Sequence, residues 1–385
     1  MTDNKKSESS EKQVSEAGLA DVVACNSGIS LIDGQAGQLL YRGYDAVELA
    51  RHSTFEEVAY LLWYGRLPGL SEFEAFLDGF TGSMRLPVET VMIMRMFPHV
   101  ATPMEILRTA VSSMGHWDPD SGVTRLDALM RKAQRITERM PLIISSYQRL
   151  RNGMEPIEPR SNSGIAMNFL YTLTGKEPDP VMVRAMDSAL ILHADHELNA
   201  STFTARVVAA TLTDIYSCIT SAIAALKGPL HGGANAEVMN MLDAIGDPAR
   251  ADSWVKQRLS EKKKIPGFGH RVYRCEDPRA TALRETARKI TTMTGNTHYF
   301  EIAEEVEKTM LANTKVFPNV DFFSGTLYNA MGIPSELFTP IFAISRVVGW
   351  TAHILEQLKN NRLIRPTANY VGPSLTPYVD ISARS

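Results

Sequence analysis

Cysteine is scarce. The 385-residue chain has three, Cys25, Cys218 and Cys275, far apart and with no C-x-x-C pair. An odd, dispersed set argues against a disulfide scaffold and a zinc ribbon and fits a reducing compartment, so a cytoplasmic location is expected. Excess positive charge is also missing: 40 Lys+Arg face 43 Asp+Glu, for a net charge of −3. No general basic field marks a nucleic-acid binder, and an anionic ligand has to be met by a local group of cations. There is no run of about 18 uninterrupted apolar residues, so no membrane span is expected. The most apolar region, 185–226, carries Asp187, His193, Asp195, His196, Glu197, Arg206 and Asp214. The first 17 residues have no apolar core and no arginine. Neither a secretory signal nor a transit peptide is expected there, and residues 1–20 read as a disordered tail.

What remains is an ordinary globular balance, with 44 % hydrophobic and 22 % charged residues. Helix signals dominate. Ile29 and Leu31, a turn at Asp33-Gly34 and the return Leu39-Leu40-Tyr41 predict one short hairpin. Ser53 with Glu56 and Ser71 with Glu74 have the spacing of capping boxes. Phe55, Val58 and Leu62, then Phe73, Phe76, Leu77 and Phe80, follow at helical spacing. Thr102-Pro103-Met104-Glu105 predicts another start, with a stop at Gly115. Residues 123–152 predict a long helix bent at Pro141. Asp179-Pro180 opens a helix expected to run through the alanine-rich stretch beyond. The character of the chain changes at Gly228-Pro229 and again near Pro334, where it becomes apolar and helical. A lobe of about a hundred residues set into a larger helical body is the expectation.

Four polar clusters could carry chemistry. In His193-Ala194-Asp195-His196-Glu197 the two histidines, three apart, are expected to share a helix face. They fit neither standard zinc-helix order, and could be a satisfied buried pair. In 228–235, GPLHGGAN, His231 lies among glycines that allow close backbone approach to a ligand; a helix-to-helix turn with an incidental histidine is the alternative. In 265–274, IPGFGHRVYR, the glycines form neither a dinucleotide fingerprint nor a Walker A loop. Six cations (Lys262, Lys263, Lys264, Arg271, Arg274, Arg279) crowd that region, favouring phosphate or carboxylate over a merely solvated face. In 318–325, PNVDFFSG, apolar neighbours would raise the pKa of Asp321, as a base for a weak carbon acid requires; a helix N-cap is the commoner use of such a residue. No G-x-S-x-G elbow is present.

Together these clusters resemble the citrate synthase family. HADHELNAST (193–202), GPLHGGAN (228–235), PGFGHRVYR with DPR (266–279), PNVDFFSG (318–325), SRVVGW (345–350) and RPTANYVG (365–372) stand in the family's order, and the resemblance runs from about residue 25 onward. It implies a mainly all-α, two-domain fold with a short N-terminal hairpin. The large domain would comprise 21–228 and 329–385, the small domain 229–328, with the active site in the cleft between them. It implies condensation of acetyl-CoA with oxaloacetate and hydrolysis of citryl-CoA to citrate and CoA, a step of the tricarboxylic acid cycle. No metal and no cofactor would be needed, acetyl-CoA being a co-substrate. The partners implied are these two small molecules and a second copy of the chain in a homodimer.

Residue by residue, the resemblance makes Asp321 the base that takes the methyl proton, His231 the donor to the thioester oxygen, and His270 the group that polarises the ketone. It makes His196, Arg279 and Arg346 oxaloacetate ligands, and Arg365 a ligand reaching into the neighbouring subunit. Arg274 would lie near the CoA phosphates, and the loop with Ile265, Gly267 and Gly269 against the adenine. The large β-rich N-terminal domain of NADH-inhibited relatives is missing, so that regulation is not expected. The near rival is 2-methylcitrate synthase, which uses propionyl-CoA; Arg271 after His270, and Ala194-Asp195 before His196, favour citrate. A CoA-binding scaffold without turnover is countered by the presence of Asp321, His231 and His270. A metal hydrolase on His193 and His196 would lose activity to a chelator.

Overall fold

In the computed structural model, residues 18–19, 22–81 and 84–384 are described. The expected tail, 1–20, lies almost wholly outside them. The chain divides into two units, Ser27–Arg362 and the terminal segments on either side of it. Among the described residues the larger unit has sixteen α-helices and one small sheet, so the fold is mainly α as the sequence implied.

The hairpin is present, strand Ser30–Asp33 pairing antiparallel with Gln38–Tyr41, and a two-residue strand, Tyr44–Asp45, adds a third member. Helix Phe55–Tyr64 buries Phe55, Val58 and Leu62 completely and closes at Gly65, whose φ of 83° suits glycine. Both nearby capping boxes are displaced from the predicted positions. The N-cap of that helix is Thr54, which accepts from the Glu57 N–H, while Glu56 turns inward to accept from the Ile165 N–H at 2.7 Å. In the next helix, Leu70–Thr81, Ser71 is already helical, and Glu72 accepts from the Gly69 N–H. For Glu56 a buried partner elsewhere decided where the acid points, which spacing alone could not reveal. The start at Thr102 holds, Glu105 accepting from the Thr102 N–H at 2.9 Å ahead of Pro103.

Helix Leu126–Arg151 continues through Pro141. Helix Pro180–His193 is capped by Asp179 and stops at His193 instead of crossing the alanine-rich stretch. The chain resumes as helices Ala200–Ala209 and Ile215–Leu226. The apolar end of the unit is helix Phe338–Lys359. By composition it is long enough to cross a membrane, yet its most apolar stretch is almost entirely buried in the structure. Phe338, Ile341, Ile344, Val347, Trp350 and Ile354 are fully enclosed. Covering Trp350 and an Ile side chain is worth roughly 1.5–3 kcal/mol each, so packing holds this helix far more than propensity does. In the terminal unit, residues 363–384 have little regular structure beyond a 3₁₀ turn at Ile381–Ala383.

Candidate active site

The helix break after His193 makes the first part of the site. His193 ends its helix and His196 lies in the following non-helical turn, so the two do not share a helix face. Nδ1 of His193 is 2.8 Å from the Ala189 carbonyl, to which it donates. The His193 carbonyl accepts from Nε of Arg346 at 2.7 Å. His196 is buried, and its Nε2 has no protein partner. Burial first, then Arg279 and Arg346, hold its pKa far below the usual value, so it is neutral.

Two long-range contacts bring the next pieces together. The 265–270 loop is joined to the segment before helix Val320–Ala330. Gly269 N–H donates to Phe317 O, and Asn319 N–H donates to Gly267 O, each at 2.9 Å. Asn319 also donates through Nδ2 to Gly269 O at 3.0 Å, and its side-chain oxygen caps the helix by accepting from the Asp321 N–H at 3.1 Å. The N-cap is therefore Asn319, and Asp321 is left in the first turn with its carboxylate uncommitted. Gly267 has φ 77°, and a β-carbon there would come within 2.7 Å of Phe322 and Val238, so the loop can lie against this helix only as glycine. Ile265 is buried at the root of the loop, and Gly269 also has positive φ, 86°.

His270 follows. Its Nδ1 accepts the N–H groups of Val272 and Tyr273 at 3.0 and 3.1 Å. Backbone N–H can only donate, so the ring proton is assigned to Nε2. The ring lies 5.2 Å from His196 and 4.7 Å from Tyr273, centroid to centroid. Arg279, 2 % exposed, is forked onto Asp277 through Nε and Nη2 at 3.0 and 2.8 Å. Arg274 is exposed, its main-chain N–H bonded to Gly34 O.

His231 is fixed from the other side. The Ser201 N–H donates to its Nε2 at 3.3 Å, and Ser201 Oγ stands 2.8 Å from the same nitrogen. The ring proton is accordingly assigned to Nδ1. Trp350 Nε1 donates to Ser201 Oγ at 3.0 Å. The Phe342 ring lies 6.4 Å from His231 and 5.0 Å from His193, with the Arg346 guanidinium 4.6 Å above it.

Electrostatics follow from burial. His231 and His270 are both pushed down to about 4, chiefly by desolvation, with Arg346 acting on the first and Arg279 on the second. Arg346 is lowered to about 10 by burial but stays charged. Asp321 is raised to about 6 by burial, against the pull of Arg279 and Arg346, and its Oδ1 is buried without a partner. The site thus joins two neutral histidine donors, one weakly acidic carboxyl group and two buried guanidiniums. Such a set can remove a proton from carbon while holding the oxygen that becomes negative, and can grip a small dicarboxylate.

Arg365 is exposed and belongs to the terminal unit, outside the unit that holds the others. Ser201, Trp350, Asp277, Tyr273 and Asn319 were not assigned from sequence. All lie inside the recognised motifs, but serine, tryptophan and asparagine acting through another residue give no spacing signal. Among the described residues, no three His, Cys, Asp or Glu side chains are grouped to hold a metal.

Two neutral histidines, a carboxyl group of raised pKa and two buried guanidiniums on a mainly helical fold fit a condensing enzyme of the acyltransferase type. The family model for the C-terminal domain of citrate synthase matches residues 18–367. Citrate synthase 2 of Bacillus subtilis is 48 % identical over 369 residues, 96 % of this chain and 99 % of that one. A 2-methylcitrate synthase of Mycobacterium tuberculosis is 42 % identical over 355 residues, covering 92 % and 90 %. The ternary complex of carboxymethyl coenzyme A and oxaloacetate with citrate synthase from Thermoplasma acidophilum superposes with a TM-score of 0.89 at 35 % identity, over 95 % of this chain and 98 % of that one. The chain belongs to the citrate synthase family.

Proposed function

We propose the following division of labour for the condensation of acetyl-CoA with oxaloacetate. Asp321 takes a proton from the thioester methyl carbon. Nδ1–H of His231 donates to the thioester oxygen as charge develops there. The nucleophilic carbon then attacks the ketone carbon of oxaloacetate, and Nε2–H of His270 delivers a proton to the ketone oxygen. His196, Arg279 and Arg346 hold oxaloacetate, and hydrolysis of citryl-CoA releases citrate and CoA. The reading is carried by one observation: Nε2 of His231 and Nδ1 of His270 each face backbone donors. Each ring is thereby left with its other nitrogen as the donor. No metal and no cofactor enters this scheme.

CoA would be met by Arg274 and by the backbone around Ile265, Gly267 and Gly269. A small domain, 229–328, would close on a large one, 21–228 with 329–385, to keep water from the enolate. A homodimer is favoured by Val88, Met92 and Met96. They are spaced four apart on helix Val88–Met96 and exposed by 63, 60 and 83 %, an apolar face that a second copy would cover. The segment carrying Arg365 also exposes Tyr370, Val371 and Leu375, which supports a reach across subunits. The compartment proposed is the cytoplasm.

Asp321→Ala tests the scheme: condensation should cease while oxaloacetate binding, measured by calorimetry, persists. Near-normal turnover would overturn it. The second reading, propionyl-CoA as acyl donor, is favoured by the mycobacterial relative. One methylene discriminates by only about 1–3 kcal/mol, so kcat/KM with the two thioesters decides; a higher value for propionyl-CoA would reverse the choice.

A further inference from the structure

His353 sits at the centre of a buried polar chain that the reaction scheme does not use. Arg206 Nη1 donates to its Nδ1 at 3.0 Å, so Nδ1 accepts and the proton lies on Nε2. That Nε2 is 3.3 Å from Oδ2 of Asp195, which also accepts from Ser30 Oγ. Arg206 Nη1 donates in addition to Glu356 at 2.6 Å, and Glu356 accepts the Gly28 N–H at 2.9 Å. His353 and Asp195 are wholly buried, and Arg206 is 3 % exposed.

The placement of this chain is the informative feature. Asp195 immediately precedes His196 in the non-helical turn, where no regular ladder fixes the backbone. On helix Phe338–Lys359, Arg346, Gly349, Trp350 and His353 follow at i, i+3, i+4 and i+7, one face. That face touches the His193 carbonyl through Arg346, the Ala194 carbonyl through the Gly349 N–H, Ser201 through Trp350, and Asp195 through His353.

We infer that His353 is a positioning residue for oxaloacetate, holding the Asp195 carboxylate so that the turn presents the His196 ring. The inference rests on the proposed role of His196. An aliphatic residue at 353 leaves a buried carboxylate short of a donor, and the turn has to move to find another. Its cost falls on oxaloacetate and spares the thioester.

The test compares His353→Leu, His353→Gln and His196→Asn, each checked for folding by circular dichroism, with oxaloacetate calorimetry and kinetics in both substrates. His353→Leu should raise the Kd and KM for oxaloacetate by about tenfold to a hundredfold, the usual cost of a displaced ligand-binding group, with the acetyl-CoA KM unchanged. His353→Gln, whose amide can accept from Arg206 and donate to Asp195, should restore most of the affinity. If His353→Leu does not fold, His353→Asn, polar but too short to span both partners, takes its place with the same expectation. Wild-type oxaloacetate affinity in the disruptive variant, or failure of the glutamine to rescue, overturns the inference. Weak binding by His196→Asn beside normal binding by His353→Leu rejects the positioning role alone. Normal binding by His196→Asn rejects the reading of His196 beneath it.

Discussion

The main-chain N–H of Ser201 lies 3.3 Å from Nε2 of His231. The proton on the opposite nitrogen is therefore a consequence of backbone geometry, independent of pH across the neutral range. Because Ser201 is itself held by Trp350 on the Phe338–Lys359 helix, the orientation of His231 is tied to the same helix that carries Arg346. Replacing His231 with alanine should lower kcat by roughly a hundredfold to a thousandfold, the loss typical of one oxyanion donor. Oxaloacetate affinity should stay within experimental error. A fall in that affinity equal to the fall in rate would move His231 from catalysis to binding.

Acid inactivation should report Asp321. Its carboxyl is raised to about 6, while His231 and His270 lie near 4 and stay neutral above pH 5. Only the ionised carboxylate accepts a proton, so activity is present above pH 6 and lost below it. The logarithm of kcat/KM for acetyl-CoA should rise with unit slope below pH 6 and level off above pH 7. A profile flat from pH 5 to pH 8 contradicts this.

Gly349→Ala isolates a close approach. In an exposed helix the change would be favourable by about 1 kcal/mol. Here a β-carbon at 349 would run into the Ala194 carbonyl and the Asp195 carboxylate. The variant should instead be less stable by about 1–3 kcal/mol, as overpacked cores are, with a raised KM for oxaloacetate. Thermal unfolding at or above the wild-type Tm would show that the two segments can separate freely.

Asp187 makes an opposite pH signature. Burial and the neighbouring Glu56 raise its pKa to about 7, even though Arg184 donates to it at 2.8 Å. The folded state then holds this proton between the unfolded pKa, near 4, and 7. Its contribution to stability is full below pH 4 and is lost as pH rises through 7. Asp187→Asn removes the titration, so the Tm difference, variant minus wild type, should increase from pH 5 to pH 8. A difference constant with pH would place the Asp187 pKa near its ordinary value.

The helical class, the hairpin and the four chemistry-bearing motifs were legible in the sequence, because helix spacing, turn glycines and chemistry-bearing residues are local signals. The break after His193 was not. Alanine-rich sequence favours continuing the helix, and the turn is held by tertiary contacts, among them Tyr41, Ser30, Gly349, Arg346 and His353. The first slipped capping box has a similar cause: Glu56 was claimed by Ile165, more than a hundred residues away. For Asp321, the neighbours Val320 and Phe322 pointed correctly to a raised pKa. What freed it from capping was Asn319, two residues earlier.

The hairpin tip sets an order of assembly. Gly34 receives the Arg274 N–H, and Cys275 reaches the same carbonyl across 241 residues of sequence. The strand pair Ser30–Asp33 and Gln38–Tyr41 therefore completes its contacts only with the loop that carries His270. Burial of the helix with Arg346 and Trp350 comes later still. Contacts of such sequence separation form more slowly than local ones, so the docking of Gly34 is expected to follow formation of the helices between.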